Sequence, residues 1–239
     1  MEKPGLINLF KKGFYDIYNN PLVIIPGILI FILLTLFSLI SVKINYNLSN
    51  SITLAIWLVI FSLISLFIIS YFSSGLIGIS GEIARNKKPG FLELLKNSNK
   101  FWLKNFIIIV LIIISYNIIW LISQNGASLI GKSLSLEVNL AKLVFFFIYF
   151  LGLLGVIIFL TFSPFYLIIK NKSILESLRN SAILVKKNYL KTILILALFF
   201  ALNGILGFTP ERVEEIINLF ILPYFALIFA RFVVSFDAK

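Results

Sequence analysis

Six long apolar stretches dominate the chain, and short polar segments separate them. The stretches run over 22–42, 52–77, 103–123, 141–169, 190–208 and 213–236. Each is close to or longer than the roughly 20 residues that an α-helix needs to cross the hydrocarbon core of a bilayer. None alternates apolar and polar residues, so helices rather than β-strands must satisfy their backbone groups in lipid. The pattern therefore predicts an all-α, polytopic membrane protein with six transmembrane helices in one domain, residues 1–239.

A charged segment of about 20 residues precedes the first stretch, and no small-x-small cleavage pattern follows it. We therefore expect the first stretch to be a membrane span rather than a cleaved signal peptide.

The polar segment before the third stretch has the periodicity of an amphipathic helix. Its apolar residues recur at Phe91, Leu94 and Phe101, while Lys96 and Lys100 occupy the other face. This combination is typical of helices that lie in the headgroup region of a membrane. Glu93 follows Gly90 by three residues, which predicts that they cap the N-terminus of this helix. In a similar segment later in the chain, Glu176 follows Ser173 by three residues, which predicts a capping box. The same glutamates are spaced i,i+3 from Lys96 and Arg179, which predicts an ion pair in each segment.

The amphipathic segment occurs again later in the chain. Residues 92–106 align without a gap on 175–189, with seven of fifteen positions identical. A weaker copy opens the chain, where Lys3-Pro4-Gly5 matches Lys88-Pro89-Gly90 and Asn20 matches Asn105. The offsets are 85 and 83 residues, so each unit holds one amphipathic helix and two spans. We therefore predict three parallel repeats, at about 3–87, 88–170 and 171–239.

Basic residues predict the orientation of the spans. Seventeen lysines and arginines flank one side of the predicted membrane region, whereas the other side carries four, namely Lys43, Lys132, Lys142 and Arg212. By the positive-inside rule the richer side is cytoplasmic. The chain is accordingly expected in the cell membrane, with its N- and C-termini in the cytoplasm.

Composition narrows the chemistry. Hydrophobic residues make up 60% of the chain and charged residues 13%, and the net charge is +11 with neither His nor Cys. Without these two residue types the chain lacks imidazole acid–base groups, thiol nucleophiles and the usual zinc ligands. The acidic residues lie away from the span centres, and nucleotide-binding or hydrolase motifs are lacking. We therefore expect no enzymatic activity, no catalytic residues, no metal site and no cofactor.

Polar and small residues inside the spans suggest helix contacts. Asn117 and Asn203 are costly in lipid, so we expect both to face the bundle interior and to bond to other helices. Ser70, Ser74 and Gly78 recur every four positions, a spacing that favours close helix approach.

Prolines predict irregularities in three spans. Pro26 lies early in the first span, Pro164 is expected to interrupt the fourth, and Pro223 lies within the sixth. Thr209 and Pro210 predict the start of the sixth helix.

Two functions of different classes fit these features. A structural or accessory module would contact anionic headgroups, or a protein partner, through its basic helices; the candidate surface comprises Lys96, Lys100, Trp102, Lys104, Arg179, Lys186 and Lys187. A permease-like transporter of a small neutral or apolar solute is the alternative. Because the basic residues border spans, we expect lipid rather than nucleic acid as the partner of the positive charge. A protein partner or a homo-oligomer is left open.

The stretch Leu-Glu-Ser-Leu-Arg-Asn-Ser…Lys-Lys-Asn-Tyr after Phe162-Ser163-Pro164, with six spans and Pro223 in the last, resembles a group of uncharacterised prokaryotic six-helix membrane proteins. It is also similar to the membrane-anchor domain of some glycerophosphodiester phosphodiesterases. The phosphodiesterase catalytic domain has no counterpart here. The resemblance therefore implies a membrane module and carries over no site residues.

Overall fold

The computed structural model describes residues 5–47, 51–133, 138–209 and 211–236, and these are helical almost throughout. The helices are α1 (Leu6–Asn19), α2 (Ile25–Asn47), α3 (Ser51–Ala84), α4 (Phe91–Ser133), α5 (Val138–Leu160), α6 (Ser163–Ile169), α7 (Ile174–Lys187), α8 (Tyr189–Leu206) and α9 (Glu211–Ser235). A 3₁₀ turn, Pro21–Ile24, joins α1 to α2. The described residues contain no β-strand, which confirms the all-α prediction.

Six stretches of helix are long and apolar enough to cross a membrane, as predicted for a multi-pass membrane protein. They are Pro21–Val42, Ile52–Ala84, Phe91–Ile130, Asn139–Ile169, Tyr189–Leu206 and Ile217–Ser235. The most apolar windows of the second and fourth have 0% of their residues buried within the chain, whereas the sixth has 56%. The second and fourth spans therefore leave their apolar side chains for lipid to cover, while the rest of the chain covers more than half of the sixth.

The buried residues concentrate at one end of the molecule, which we call the basic end. It comprises α1, the α3–α4 and α6–α7 connections and the C-terminal half of α9, held together by side-chain contacts. Phe162 packs edge-on against Phe229, with ring centroids 5.4 Å apart, and joins α6 to α9. Arg85 Nη2 donates to the Ile169 carbonyl oxygen at 2.6 Å and joins the end of α3 to the end of α6. The second, fourth and sixth spans thus meet at the basic end.

Each of the two connections at the basic end turns on an asparagine in the left-handed region. Asn86 has φ 61° and Asn171 has φ 49°. Asparagine tolerates this conformation better than most residues do, so it ends the preceding helix at little cost. A lysine follows each, Lys87 and Lys172, so both turns present positive charge.

The second amphipathic segment is not a separate helix, contrary to the prediction. Residues 91–105 and the third span form one 43-residue helix, α4, whereas α1 and α7 are separate helices of 14 residues each. Asn20 and Asn188 end α1 and α7, and the amide of each donates to a carbonyl of its own last turn, that of Asp16 or Leu184.

Asn105 occupies the corresponding position of α4 but bonds outwards. Its Nδ2 donates to the Ser70 carbonyl oxygen at 3.3 Å and to Ser73 Oγ at 2.9 Å, both on α3. The amide therefore does not compete with the backbone of α4, and the helix continues through it.

Small residues let α3 and α4 approach closely, as their spacing predicted. Ser70 Oγ donates to the Trp102 carbonyl oxygen at 2.6 Å. A Cβ placed on Gly78 would lie 2.4 Å from the side chain of Asn97, and one on Gly75 would lie 2.5 Å from Ser98 Oγ. The two backbones are thus too close for larger side chains at these positions.

The prolines affect the helices differently. The fourth span breaks as predicted, since α5 ends at Leu160 and α6 begins at Ser163, which places Pro164 in its first turn. Pro26 lies in the first turn of α2, and Pro223 lies within a continuous α9. Thr209 Oγ1 donates to the Leu206 carbonyl oxygen at the end of α8. Pro210 lies outside the described residues, as do the side chains of Lys43, Lys132 and Arg212.

Candidate functional site

The three amphipathic segments bury the same positions. Three positions are buried in all three segments when the segments are aligned by the offsets 85 and 83. The residues at the three positions are Leu9, Leu94 and Ser177; Gly13, Ser98 and Ser181; and Asp16, Phe101 and Leu184. These positions are spaced four and three residues apart and so form one helix stripe. Each segment therefore faces the rest of the protein in the same way.

The second and third segments each pack against a span that precedes them in the chain, and the first packs against the last span. A Cβ on Gly13 of α1 would lie 3.1 Å from Ile228 of α9. Ser98 of α4 lies against Gly75 of α3, and Ser181 Oγ of α7 donates to the Phe159 carbonyl oxygen of α5 at 2.6 Å. A small residue at the same position makes all three close contacts.

The opposite face of each segment exposes an aliphatic side chain in the first helical turn. The exposed fractions are 71% for Ile7, 78% for Leu92 and 78% for Leu175. Four residues later each segment exposes a cation, which is Lys11, Lys96 or Arg179. Residues four apart lie on the same side of a helix. Each segment therefore presents one aliphatic–cation pair, and the three pairs occupy corresponding positions.

Most of the predicted basic surface is exposed. Lys96, Lys100, Lys104, Arg179, Lys186 and Lys187 all present exposed side chains. Trp102 differs from them, because its ring is half-buried and meets Phe67 of α3 edge-on, with the centroids 4.9 Å apart. The indole therefore contributes to the packing of α3 on α4 more than to the exposed surface.

The acidic residues of the two later segments cap helices, as predicted. Gly90 N donates to Glu93 Oε2 at 2.8 Å, and Ser173 N donates to Glu176 Oε2 at 3.3 Å. Glu176 N donates in return to Ser173 Oγ, which completes the capping box.

The expected ion pairs at i,i+3 are not among the contacts of the described residues, because the glutamates bond to the backbone instead. One oxygen of each glutamate, Oε2, accepts from the backbone, and Lys96 and Arg179 extend from these helices as exposed cations. The positive charges of Lys96 and Arg179 are therefore directed away from the protein.

The intramembrane asparagines do not bond as predicted. Asn117 is exposed rather than interior, and its Nδ2 donates to the Ile113 carbonyl oxygen of its own helix at 2.8 Å. Asn203 is half-buried and its Nδ2 donates to the Phe199 carbonyl oxygen, also of its own helix, at 2.7 Å. Both amides thus find a local acceptor one helical turn away, an option that the sequence argument overlooked.

Several clefts open on the surface of the described part of the bundle, and two of them are relevant to the predicted residues. One of about 490 Å³ lies between α1 and α9 and is lined by Phe14, Ile17, Tyr18, Phe220, Ile221 and Tyr224. A second, of about 350 Å³, lies between α4 and α5 and is lined by Tyr116, Asn117, Trp120 and Tyr149. The second cleft adjoins Asn117, but Asn203 does not line it.

Sequence reasoning missed Ile7, Leu92 and Leu175 as surface residues, although the offsets of 85 and 83 align them with one another. It also missed Lys11, which the same offsets align with Lys96 and Arg179. Asp16 of α1 and Arg231 of α9 form a buried ion pair. Sequence reasoning missed it as well, since nothing in the sequence links two residues 215 positions apart. Comparisons with protein-family models, with curated proteins and with solved structures find no match for this chain.

Proposed function

We propose that this chain is a multi-pass module of the cell membrane that binds anionic phospholipids at its cytoplasmic surface through three aliphatic–cation pairs. The pairs are Ile7 with Lys11, Leu92 with Lys96, and Leu175 with Arg179. The observation that carries the proposal is the exposure of all six side chains at corresponding positions of three helices.

The chemistry of the pairs on α1 and α7, which are helices separate from the spans, fits the boundary between headgroups and acyl chains. On the continuous α4, Leu92 lies one helical turn farther from the third span than Lys96 and stays on the headgroup side. An aliphatic side chain buried at the boundary contributes about 1.5–3 kcal/mol when it is fully covered. A lysine or arginine near an anionic leaflet contributes about 1 kcal/mol. Adjacent to each other on one helix face, the two groups match the apolar and the anionic parts of one lipid.

The proposal includes three repeats with both chain ends in the cytoplasm. Support comes from the shared burial stripe, from the small residues Gly13, Ser98 and Ser181 at the closest contacts, and from the cyclic order in which each segment packs on a span. The concentration of lysine and arginine at the basic end supports its cytoplasmic location.

Packing at the basic end weighs against the permease-like alternative. A path between the repeats would pass between the second, fourth and sixth spans. Phe162, Phe229 and Phe232 fill much of this region, with ring centroids 5.3–5.4 Å apart, and a Cβ on Gly81 of α3 would lie 2.7 Å from Ile169 of α6. The region is thus densely packed with apolar side chains.

Native mass spectrometry of the purified protein, titrated with phosphatidylglycerol or phosphatidylcholine, tests the proposal. The reversal of the three pair cations, Lys11→Glu, Lys96→Glu and Arg179→Glu, is expected to weaken phosphatidylglycerol binding by about fivefold or more per site. Phosphatidylcholine binding should change little.

The matched control carries Lys12→Glu, Lys88→Glu and Lys172→Glu, which changes the net charge equally at exposed lysines outside the pairs. Equal losses in both variants would show that only net charge matters and would contradict the proposed sites. Unchanged lipid binding together with loss of a copurifying protein would favour a protein partner instead.

A further inference from the structure

A polar stripe runs along the outward face of α4. It comprises the polar residues Asn117, Gln124 and Ser128, with Leu121 between the first two; the four are spaced four, three and four residues apart, and all four side chains are exposed. Such spacing places them on one side of the helix. We call this set the α4 polar stripe.

The stripe lies on the exposed side of α4, where Asn117 also borders the surface cleft between α4 and α5. The packed side of the same part of α4 carries Ser123 and Ala127, with exposed fractions of 0% and 5%. Ile119, on that side too, would lie 2.6 Å from a Cβ on Gly152 of α5. The stripe therefore does not line the interior of a single chain.

Asn117 lies deep within the span. It is thirteen residues from Lys104, which corresponds to about 20 Å along a helix axis. Among the described residues, its side chain forms one hydrogen bond, to the Ile113 carbonyl oxygen, which uses one amide hydrogen. The side-chain oxygen and the second hydrogen are left to be satisfied from outside the helix. Acyl chains offer neither donor nor acceptor, so an exposed amide at this depth favours association with another polar helix.

From this geometry we propose that the α4 polar stripe is the interface of a homodimer. A carboxamide both donates and accepts, so two copies of Asn117 related by a two-fold axis satisfy each other, and Gln124 does the same nearer the outer end. The cleft of about 350 Å³ beside the stripe, lined by Tyr116, Trp120 and Tyr149 with Asn117, gives room for a side chain such as Leu121 of the second copy.

Oxidative cross-linking in membranes at low protein density tests the interface, and the chain suits it because it has no native cysteine. Leu121→Cys and Gln124→Cys are expected to give a cross-linked species of twice the monomer mass. Ile118→Cys and Ile122→Cys serve as matched controls, since these residues are 50% and 60% exposed on the same helix but off the stripe. They should give little product.

A second variant separates the role of the amide from mere proximity. In the Leu121→Cys background, Asn117→Leu is expected to lower the association constant of the dimer about tenfold. The cross-linked fraction, and the dimer fraction counted by single-molecule photobleaching, should both fall as a result. Asn117→Gln should retain most of the dimer. Equal cross-linking at stripe and control positions, monomers alone in photobleaching, or an adduct of a different mass would overturn the proposal.

Discussion

Asp16 and Arg231 form a buried, two-pronged ion pair between the first and the last helix. Asp16 Oδ2 lies 2.5 Å from Arg231 Nε, and Asp16 Oδ1 accepts from Arg231 Nη2 at 2.7 Å. The two residues are 5% and 8% exposed and 215 positions apart in the chain. The pair therefore ties α1 to α9 and joins the two ends of the sequence at the basic end.

Removal of one partner should destabilise the protein strongly. A buried charge left without its partner costs about 3–5 kcal/mol, so Asp16→Ala is expected to lower the free energy of unfolding by about that amount. Replacement of both charges, in Asp16→Leu with Arg231→Met, should recover much of the loss because no buried charge then remains. Denaturant titration in mild detergent measures both variants.

Glu82 provides the control for this prediction. Its carboxylate lies 3.0 Å from Arg85 and 2.8 Å from Lys87, and all three side chains are partly exposed. Glu82→Ala should therefore cost at most about 1 kcal/mol. A loss for Asp16→Ala no larger than this would contradict the role assigned to the buried pair.

The crossing of α3 and α4 should not tolerate a methyl group at Gly78. The Cβ of Gly78→Ala would lie 2.4 Å from the side chain of Asn97, so the helices must separate and the unfolding free energy should fall by about 1–3 kcal/mol. Gly155→Ala and Gly204→Ala add the same methyl group within helices where nothing lies within 4 Å. These controls should be neutral or stabilising by up to about 1 kcal/mol, through helix propensity. Similar values at all three positions would refute the close contact.

Asn105 and Asn188, which occupy corresponding positions, should differ in their effects on stability. Asn105→Ala removes the bonds to Ser70 and Ser73 of α3 and is expected to cost about 1–2 kcal/mol. Asn188→Ala removes a bond within its own last turn, to the Leu184 carbonyl oxygen, and should cost less than about 1 kcal/mol. Thermal unfolding of both variants, followed by circular dichroism, provides the comparison. A larger loss at Asn188 would mean that the Asn105 bridge is unimportant.

The salt dependence of lipid binding should distinguish the contribution of the cations from that of the aliphatic side chains. The screening length falls from about 10 Å at 0.1 M ionic strength to about 3 Å at 1 M, so the preference for phosphatidylglycerol over phosphatidylcholine should nearly vanish at high salt. Substitution of Ile7, Leu92 and Leu175 by serine should instead weaken binding of both lipids, with little dependence on salt. Fluorescence transfer from labelled lipids in nanodiscs gives the readout. A preference for the anionic lipid that survives 1 M salt would argue against binding through exposed cations.

Much of the architecture was predictable because it follows from length and polarity. Six helices long and apolar enough to span a membrane, the capping box at Ser173 and the break at Pro164 depend on local sequence, and the structure confirms them. The continuity of α4 was not predictable, since Asn105 matches Asn20 and Asn188 in sequence. Only the position of Ser70 and Ser73 on the neighbouring helix determines that Asn105 bonds outwards.

The candidate surface was predictable in part for the same reason. The exposure of Lys96 and Arg179 follows from helix periodicity, but that of Ile7, Leu92 and Leu175 depends on which face of each helix the spans cover. The exposure of Asn117 likewise could not be predicted without knowing how α4 packs on α3 and α5. Sequence periodicity does not show which face of a uniformly apolar helix is buried. The resemblance to phosphodiesterase membrane anchors stays a prediction.

Cysteine labelling in intact cells tests the central claim, that the basic end faces the cytoplasm, most directly. A membrane-impermeant maleimide added outside the cells should label Asn47→Cys, at the end of α2, and Asn125→Cys, near the C-terminal end of α4. It should label Lys88→Cys and Lys172→Cys, in the two connections at the basic end, only after the membrane is permeabilised. Labelling of Lys88→Cys or Lys172→Cys in intact cells, with Asn47→Cys protected, would invert the topology and contradict the proposed contact with cytoplasmic anionic lipid.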